Sequence, residues 1–294
     1  PPPSEGNPHN KPFGIGECSG LMTGRLTIYR PGKHFPAISV TGERCELRCE
    51  HCRGRYLKGM RGVGSGEELL SVASGLEASG GTGLLLSGGC DAQGRVPIGP
   101  FLGAVGQIKS STRLAVNLHP GLVDEASAPA ILASGADVLS VDVLQDGPAI
   151  IERLHLNAAP EAYRRTLELL SPGTLAPHIC VGLQSERGER DTVDMLSSFR
   201  IQALVVLGLM APPGSGVRPV DADRLVSFIR SAVRRLDAPV LLGCMRPRGR
   251  ARAEIEAIEA GCAGIVNPAP ATVGWARSSG LEIMERRTCC ALHR

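Results

Sequence analysis

The sequence is poor in aromatic residues and has no long apolar run. Phe, Trp and Tyr make up 3% of the 294 residues, so the core has to be built from Leu, Val, Ile and Ala rather than from stacked rings. Apolar residues amount to 43%, enough for a full core. The longest apolar runs, such as residues 203–210, are as long as a strand and too short to span a membrane. We therefore expect no membrane partner.

The sequence also lacks a strong charge of either sign. Its 32 basic and 29 acidic residues leave a net charge of +3, which does not indicate a nucleic-acid-binding protein. The arginine-rich stretches at 246–252 and 286–287 lack the interleaved aromatic residues that stack on bases. The glycine-rich stretch 61–66 lacks the Lys-Ser/Thr step of a phosphate loop. An acidic protein partner fits this charge balance better than a nucleic acid does.

Cysteine, in contrast, is abundant, with ten residues in the chain. A disulfide framework is typical of short secreted chains, whereas this chain is long and shows no signal peptide. We therefore expect a cytoplasmic protein whose clustered cysteines bind metal or carry out redox chemistry.

Short apolar runs alternate with longer amphipathic ones, which predicts repeated strand–helix units. The predicted strands are 37–41, 83–87, 114–118, 138–143, 178–183, 203–209, 240–244 and 263–266. Because these runs are continuously apolar, they favour a parallel sheet covered by helices. Eight units predict a (β/α)₈ TIM-type barrel of the α/β class, complete or partial, and a doubly wound sheet is the alternative. We place the barrel at 37–280, after an extended leader at 1–36 and before a short tail at 281–294.

The loop after the first predicted strand carries three cysteines, Cys45, Cys49 and Cys52, in the spacing C-x₃-C-x₂-C. Three thiolates on one loop can hold a [4Fe–4S] cluster and leave its fourth iron open to a small chelating ligand. A zinc site completed by His51 is one alternative. A disulfide with one free thiol is another, although a reducing compartment disfavours it.

This spacing, directly after strand one of a predicted barrel, resembles the radical SAM superfamily. The resemblance implies that the open iron binds the amino and carboxylate groups of S-adenosylmethionine. It also implies that reductive cleavage yields a 5′-deoxyadenosyl radical, which removes a hydrogen atom from an unactivated carbon. His51 departs from the superfamily, which often has an aromatic carbocycle just before the third cysteine.

The resemblance extends to the stretch Ser87-Gly88-Gly89-Cys90-Asp91, which is similar to a Gly-Gly-Glu segment that meets the amino group of S-adenosylmethionine. Cys90 replaces the glutamate, so this role carries over only in part. The resemblance further implies cofactor-binding or substrate-binding roles at the strand ends and on one helix. The candidate residues are Ser87, Gly88, Gly89, Asn117, Asp142 and Arg165, with His119 as a weaker one.

The loop sequence, from Phe35 to Leu57, resembles the biotin synthase-like branch of the superfamily, and in particular a subunit of the two-component lipoyl synthases. This implies a sulfurtransferase that inserts sulfur into an octanoyl chain carried by a lipoyl carrier protein. It also implies a second radical SAM paralogue and a low-potential electron donor such as ferredoxin as partners. The alternatives are an enzyme of the same branch without sulfur insertion (a methyltransferase, mutase or lyase) and a zinc-stabilised interaction module.

Sulfur insertion implies a second, sacrificial iron–sulfur cluster, and two sets of cysteines compete for it. The first set, which we prefer, is Cys18, Cys289 and Cys290 from the leader and the tail. The second is Cys90, Cys180 and Cys244 at strand ends, with Arg246 or Arg248 as a fourth ligand, as the resemblance to biotin synthase implies. Cys262 is expected to be a core residue only.

Overall fold

The computed structural model of the protein describes residues 24–210, 212 and 215–293. Its strands form one parallel sheet, in the order β11-β1-β10-β9-β8-β7-β6-β5-β4-β2-β3. The strands are β1 Arg25–Tyr29, β2 Ala37–Ser39, β3 Arg61–Gly62, β4 Gly83–Ser87, β5 Ala115–Leu118, β6 Val138–Asp142, β7 Leu175–Val181, β8 Leu204–Gly208, β9 Val240–Leu242, β10 Gly264–Val266 and β11 Glu282–Arg286.

Eight helices connect these strands in the described residues and cover the outer face of the sheet. They are α1 Gly66–Ala78, α2 Leu102–Ser111, α3 Ala128–Ala133, α4 Glu161–Leu170, α5 Glu186–Leu196, α6 Ala222–Arg235, α7 Ala251–Glu259 and α8 Pro270–Ser278. Three begin at a side-chain cap: Ser65, Ser185 and Asp221 each accept a hydrogen bond from a backbone N–H of the first helical turn. None of the described helices is long and apolar enough to cross a membrane.

The predicted α/β barrel class is confirmed. All eight predicted strands are present, as β2 and β4 to β10, because continuously buried runs such as Gly83–Ser87 suit a parallel sheet with both faces covered. The sheet curls into a TIM-like barrel, and β11 and β3 are its two edge strands.

The barrel includes residues on both sides of the predicted sequence range 37–280. Residues 25–29, assigned to the leader, form β1 and pair with both β10 and β11. Residues 282–286, assigned to the tail, form β11. Leu26, Ile28 and Tyr29 are buried in this arrangement. Only a short 3-10 helix, Gly32–His34, lies between β1 and β2, so the alternation of strands with α-helices from which the other strands were predicted is missing here.

After β11 the chain turns back into the amino end of the barrel. Thr82, just before β4, donates a hydrogen bond to the carbonyl of Arg287 at 2.7 Å. Gln202, just before β8, donates one to the carbonyl of His293 at 2.7 Å. Leu292 is buried against side chains at the starts of other strands, Val138 among them. Residues 287–293, the C-terminal plug, therefore close the amino end, and the site lies at the opposite end.

Candidate active site

A cavity of about 320 Å³ lies at the carboxyl ends of the strands, where parallel α/β barrels place their ligands. Most of its wall is apolar, formed by leucine, valine and methionine side chains of several loops. Its polar and reactive lining comprises Cys45, Cys49, His51, Cys52, Tyr56, Ser87, Cys90, His119, Asp142, Tyr163, His178 and Cys180. The chain thus brings five thiols and three imidazoles to one mainly apolar space.

The cysteine loop reaches this cavity through a series of tight turns. The N–H groups of Cys52 and Arg53 both donate to the carbonyl of Cys49, at 3.1 and 2.8 Å. Arg48 and Arg53 have left-handed backbones, with φ of 47° and 48°, which non-glycine residues adopt at a cost of about 1 kcal/mol or more. These turns place the side chains of the three cysteines on the cavity wall.

The thiols of this loop influence one another. A hydrogen bond from the Cys49 thiol lowers the pKa of Cys52 to about 7, against the opposing effect of burial. The same hydrogen bond, followed by burial and by the charges of Cys52 and Cys45, raises the pKa of Cys49. Cys45, Cys49 and Cys52 are all free thiols. Of the hydrogen-bonded pair Cys49 and Cys52, Cys52 therefore ionises first.

The donor set fits a cubane cluster better than a single ion. Within residues 24–210, 212 and 215–293, no three His, Cys, Asp or Glu side chains converge as ligands of one metal ion do. A cubane bonds each thiolate to a different iron, so its ligands need not converge on one point. Three free thiols on one loop, facing an apolar space, meet that requirement.

Gly88 and Gly89 lie beside the cysteine loop and line the cavity, as predicted. A Cβ on Gly89 would lie 2.0 Å from the carbonyl oxygen of Arg44 and 2.6 Å from Cβ of Cys45, so only glycine allows this approach. The N–H of Glu46 donates to the carbonyl of Cys90 at 2.8 Å and ties the two loops together. The Ser87 hydroxyl donates to the carbonyl of His119, so it is already engaged.

Asp142, at the end of β6, carries the negative charge of the cavity. Its side chain is 57% exposed. The exposed surface faces the cavity, and protein surrounds the carboxylate on its other sides. His119 Nε2 lies 3.6 Å from its Oδ2 atom. Burial opposes ionisation, but the charge and hydrogen bond of His119, with His178 and His51, lower the pKa of Asp142 to about 2.

The pKa values of the two imidazoles nearest Asp142, those of His119 and His178, shift in opposite directions. Asp142 raises the pKa of His119 by charge and hydrogen bonding, which outweighs burial. Burial, and then the charge of His119, lowers the pKa of His178 to about 4. The rings of His119 and His178 meet edge to face, with centroids 5.8 Å apart. This His119–Asp142–His178 group can bind a polar substituent or move a proton at the cavity wall.

Two of the residues predicted to bind S-adenosylmethionine do not reach the cavity. Asn117 accepts a hydrogen bond from Ser140 at 2.8 Å and donates one to the sulfur of Cys289 at 3.5 Å. Its amide is therefore hydrogen-bonded within the barrel interior. Arg165 is 52% exposed on α4 and pairs with Glu125 and Glu168 on the outer surface. Its place follows from the helix, which turns its Tyr163 side inward.

The extra cysteines lie in different parts of the described structure. Cys90 and Cys180 line the cavity, whereas Cys244 does not. Cys244 is exposed and lies just after β9. The Cys290 thiol donates a hydrogen bond to Cys289, and this lowers the pKa of Cys289 to about 7. Two members of the preferred set, Cys289 and Cys290, are therefore in contact, and Cys18 lies outside the described residues.

The two arginines considered as a fourth cluster ligand are engaged elsewhere. Arg246 is buried and donates to Glu254 at 2.6 Å and to the carbonyls of Gly243 and Val266. Arg248 donates to the carbonyls of Val266 and Cys244. Cys262 is buried, as expected, and its thiol contacts the carbonyl of Gly264.

Sequence reasoning missed His178 and Tyr163 as lining residues. His178 sits opposite Asp142 in the register of β6 and β7. Knowledge of that register would have paired the two residues, but the sequence shows only a histidine within an apolar strand. Tyr163 reaches the cavity from α4, and burial raises the pKa of its hydroxyl.

No protein-family model and no curated protein sequence matches the chain. Solved structures do match its fold. Methylornithine synthase PylB has a TM-score of 0.60 at 13% identity, covering 90% of this chain and 84% of its own. Streptococcus suis SuiB bound to S-adenosylmethionine has 0.57 at 14%, covering 78% and 52%. The FeFe-hydrogenase maturase HydG from Carboxydothermus hydrogenoformans has 0.58 at 14%, covering 82% and 58%. At these identities the likeness shows a shared fold.

Proposed function

We propose that the protein is a radical SAM enzyme. The observation that carries this proposal is the set of three free thiols, Cys45, Cys49 and Cys52, that line one mainly apolar cavity beside Gly88 and Gly89. The fold gives further support, because a protein of similar fold has been solved with S-adenosylmethionine bound.

The three cysteines would hold a [4Fe–4S] cluster. When bound, a cluster with an open iron supplies the site for S-adenosylmethionine and the electron for its reductive cleavage. The chain provides the surroundings. Gly89 lets its loop approach the cysteine loop closely, and the leucine and methionine walls exclude water from a reactive radical. Asp142, held ionised by His119, is placed to accept hydrogen bonds from hydroxyl groups of the ligand.

The test is an anaerobic preparation with reconstituted iron and sulfide, followed by assays of iron content and of 5′-deoxyadenosine formation from S-adenosylmethionine under reducing conditions. We expect a brown protein that cleaves the cofactor. A colourless protein that contains zinc would overturn the proposal and support a zinc-stabilised module instead.

We further propose that the reaction inserts sulfur into an octanoyl chain on a lipoyl carrier protein, together with a second radical SAM paralogue. The apolar walls of the cavity support an alkyl substrate. A second cluster would supply the sulfur. The contact between Cys289 and Cys290, which pack against side chains of the barrel strands, supports the tail set as the site for it, and Cys18 remains a candidate ligand.

Iron counting tests this finer proposal. Two cubane clusters bring about eight irons per chain, and one brings about four. In a background of Cys45→Ala, Cys49→Ala and Cys52→Ala, we expect the remaining iron to disappear on Cys289→Ser but to stay on Cys180→Ser. Loss on Cys180→Ser alone would move the second cluster to the cavity set of Cys90 and Cys180.

A second candidate function keeps the radical chemistry without sulfur insertion, as in a methyltransferase, mutase or lyase. The His119–Asp142–His178 group favours it, because a charged wall suits a polar substrate better than an alkyl chain. An iron content of about four per active chain would select this function.

A further inference from the structure

The net charge of the protein is concentrated around its cysteine loop. Residues 43–61 contain six basic and three acidic side chains, a net charge of +3 that equals the charge of the whole chain. The remainder of the chain is balanced, with 26 basic and 26 acidic residues. A charge excess confined to one loop indicates a local role rather than a general effect on solubility.

The basic side chains of this loop have no acidic partners. Arg44, Arg48, Arg53, Arg55, Lys58 and Arg61 are all exposed, and none forms an ion pair with a described residue. Arginines elsewhere commonly do, as Arg25 does with Glu282 and Arg235 with Asp194. Three glutamates alternate with the cations in the loop, yet none lies within ion-pair distance of them. The cations are therefore available to an outside partner.

Two hollows on the outer side of the loop lead to the cluster-binding thiols. One, of about 520 Å³, is lined by Cys45 with three arginines and three acidic residues, so its charges balance. The other, of about 220 Å³, is lined by Cys52 and His51 with Arg53, Arg55 and Lys58, and Glu50 is its one acidic residue. Only the second hollow carries an excess of positive charge. We call Arg53, Arg55 and Lys58 the basic collar.

We propose that the basic collar docks an acidic electron-transfer protein over the cluster-binding loop. This inference rests on the proposed radical SAM function, which needs one electron delivered to the cluster in each reductive cleavage. The step transfers one electron from the reduced iron–sulfur or flavin centre of the donor protein to the oxidised cluster, and no bond is formed or broken. Cys52 at the base of the hollow brings the cluster close to the surface there, and electron transfer demands a short path.

The chemistry of the hollow selects this partner over others. Four of its eight lining residues are charged and six lie on the loop itself, whereas the substrate cavity is mainly apolar. A nucleic acid would need aromatic rings for stacking, and the hollow has none besides the imidazole of His51. Exposed unpaired cations steer an acidic protein and orient it at the encounter.

The test compares two reductants on the reconstituted holoenzyme. The variant Arg53→Glu/Arg55→Glu/Lys58→Glu reverses the collar. The matched control, Arg200→Glu/Arg230→Glu/Arg234→Glu, reverses three exposed and unpaired arginines at other surface positions. The readout is the bleaching of the cluster absorbance, which needs neither substrate nor S-adenosylmethionine. The reductants are an acidic [2Fe–2S] ferredoxin and photoreduced deazaflavin, which is small and uncharged.

At low ionic strength we expect the collar variant to be reduced by ferredoxin about 10-fold or more slowly than wild type, and the control at the wild-type rate. Added salt should slow the wild type toward the variant. Deazaflavin should reduce all three proteins equally, which shows that the cluster is intact. If the reversed collar disturbs the loop, Arg53→Gln/Arg55→Gln/Lys58→Gln should give a smaller loss in the same direction.

Equal ferredoxin rates in collar variant and control would overturn the docking proposal, and the radical SAM function would stand. Absence of a reducible cluster in the wild type would instead contradict the proposed function. A collar variant that keeps its ferredoxin rate but loses binding of an octanoylated carrier protein would assign the surface to the carrier and likewise overturn the proposal.

Discussion

The amino and carboxyl ends of the barrel differ in their packing and in the pairing of their polar groups. At the amino end, the C-terminal plug brings in polar groups that find partners, as Gln202 does with the carbonyl of His293, and it buries Leu292. At the carboxyl end, the cysteine loop has left-handed arginines, unpaired cations and thiols that face a cavity. The packing of the amino end indicates stability, although the buried hydroxyl of Thr288 has no hydrogen-bond partner among the described residues. The strained backbone and unpaired cations of the carboxyl end indicate function.

The largest expected effect comes from removing one ligand thiol at the carboxyl end. Cys49→Ala should abolish the cleavage of S-adenosylmethionine and the absorbance of the cluster on this loop, because two thiolates do not hold a cubane with an open iron. Cys262→Ala is the control, since Cys262 is buried beside β10 and away from the cavity. Full activity of Cys49→Ala would remove this loop from the mechanism.

Glycines at the two ends of one strand, β4, provide a matched comparison. Gly83→Ala would place a Cβ 2.2 Å from the carbonyl oxygen of Ala115, and Gly89→Ala would place one 2.0 Å from that of Arg44. Both should destabilise the protein by about 1–3 kcal/mol or more, measured by denaturant unfolding. Gly89→Ala should in addition lower the iron content, because it displaces Cys45. Equal iron content in both variants would show that the approach of the two loops is unimportant.

Leu292 in the plug should matter for stability and not for the cluster on Cys45, Cys49 and Cys52. Leu292 is 7% exposed, and Leu292→Ala should lower the free energy of unfolding by about 2 kcal/mol, near the low end for a buried leucine because the site lies close to the chain end. Ile151→Ala is the control, since Ile151 is 59% exposed and should change stability by less than about 0.5 kcal/mol. The cluster on Cys45, Cys49 and Cys52 should be retained in both variants. Loss of that cluster in Leu292→Ala would contradict the separation between the two ends.

The smallest expected effect concerns the pair of His119 and Asp142 at the cavity wall. Because Asp142 raises the folded-state pKa of His119, this pair stabilises the protein fully below the ordinary histidine pKa of about 6.5, and the contribution is lost as pH rises through the raised value. In Asp142→Asn, the charge and hydrogen bond of Asp142 are lost while the opposing effect of burial remains, so the pKa of His119 should fall. NMR titration of the imidazole in cluster-free protein measures this, and an unchanged pKa would show that the two groups are uncoupled.

The same contrast explains what the sequence could predict. The eight strands of the strand–helix rhythm and the cysteine loop are local patterns, and they were predicted from spacing alone. Strand β1, strand β11 and the plug depend on pairing between the two ends of the chain, as between Arg25–Tyr29 and Glu282–Arg286. Strand register likewise decides that His178 lies beside Asp142. Arg165 was assigned by family resemblance, but the orientation of α4 directs it outward.

The central claim is that Cys45, Cys49 and Cys52 hold a cluster whose open iron binds S-adenosylmethionine. The most direct measurement is the electron paramagnetic resonance spectrum of the reduced, reconstituted protein before and after addition of S-adenosylmethionine, recorded beside Cys49→Ala. We predict the signal of a reduced [4Fe–4S] cluster that changes on addition of S-adenosylmethionine, and we predict that this responsive signal is absent in Cys49→Ala. A wild-type spectrum that does not change on addition of S-adenosylmethionine, or a responsive signal that persists in Cys49→Ala, would contradict the account.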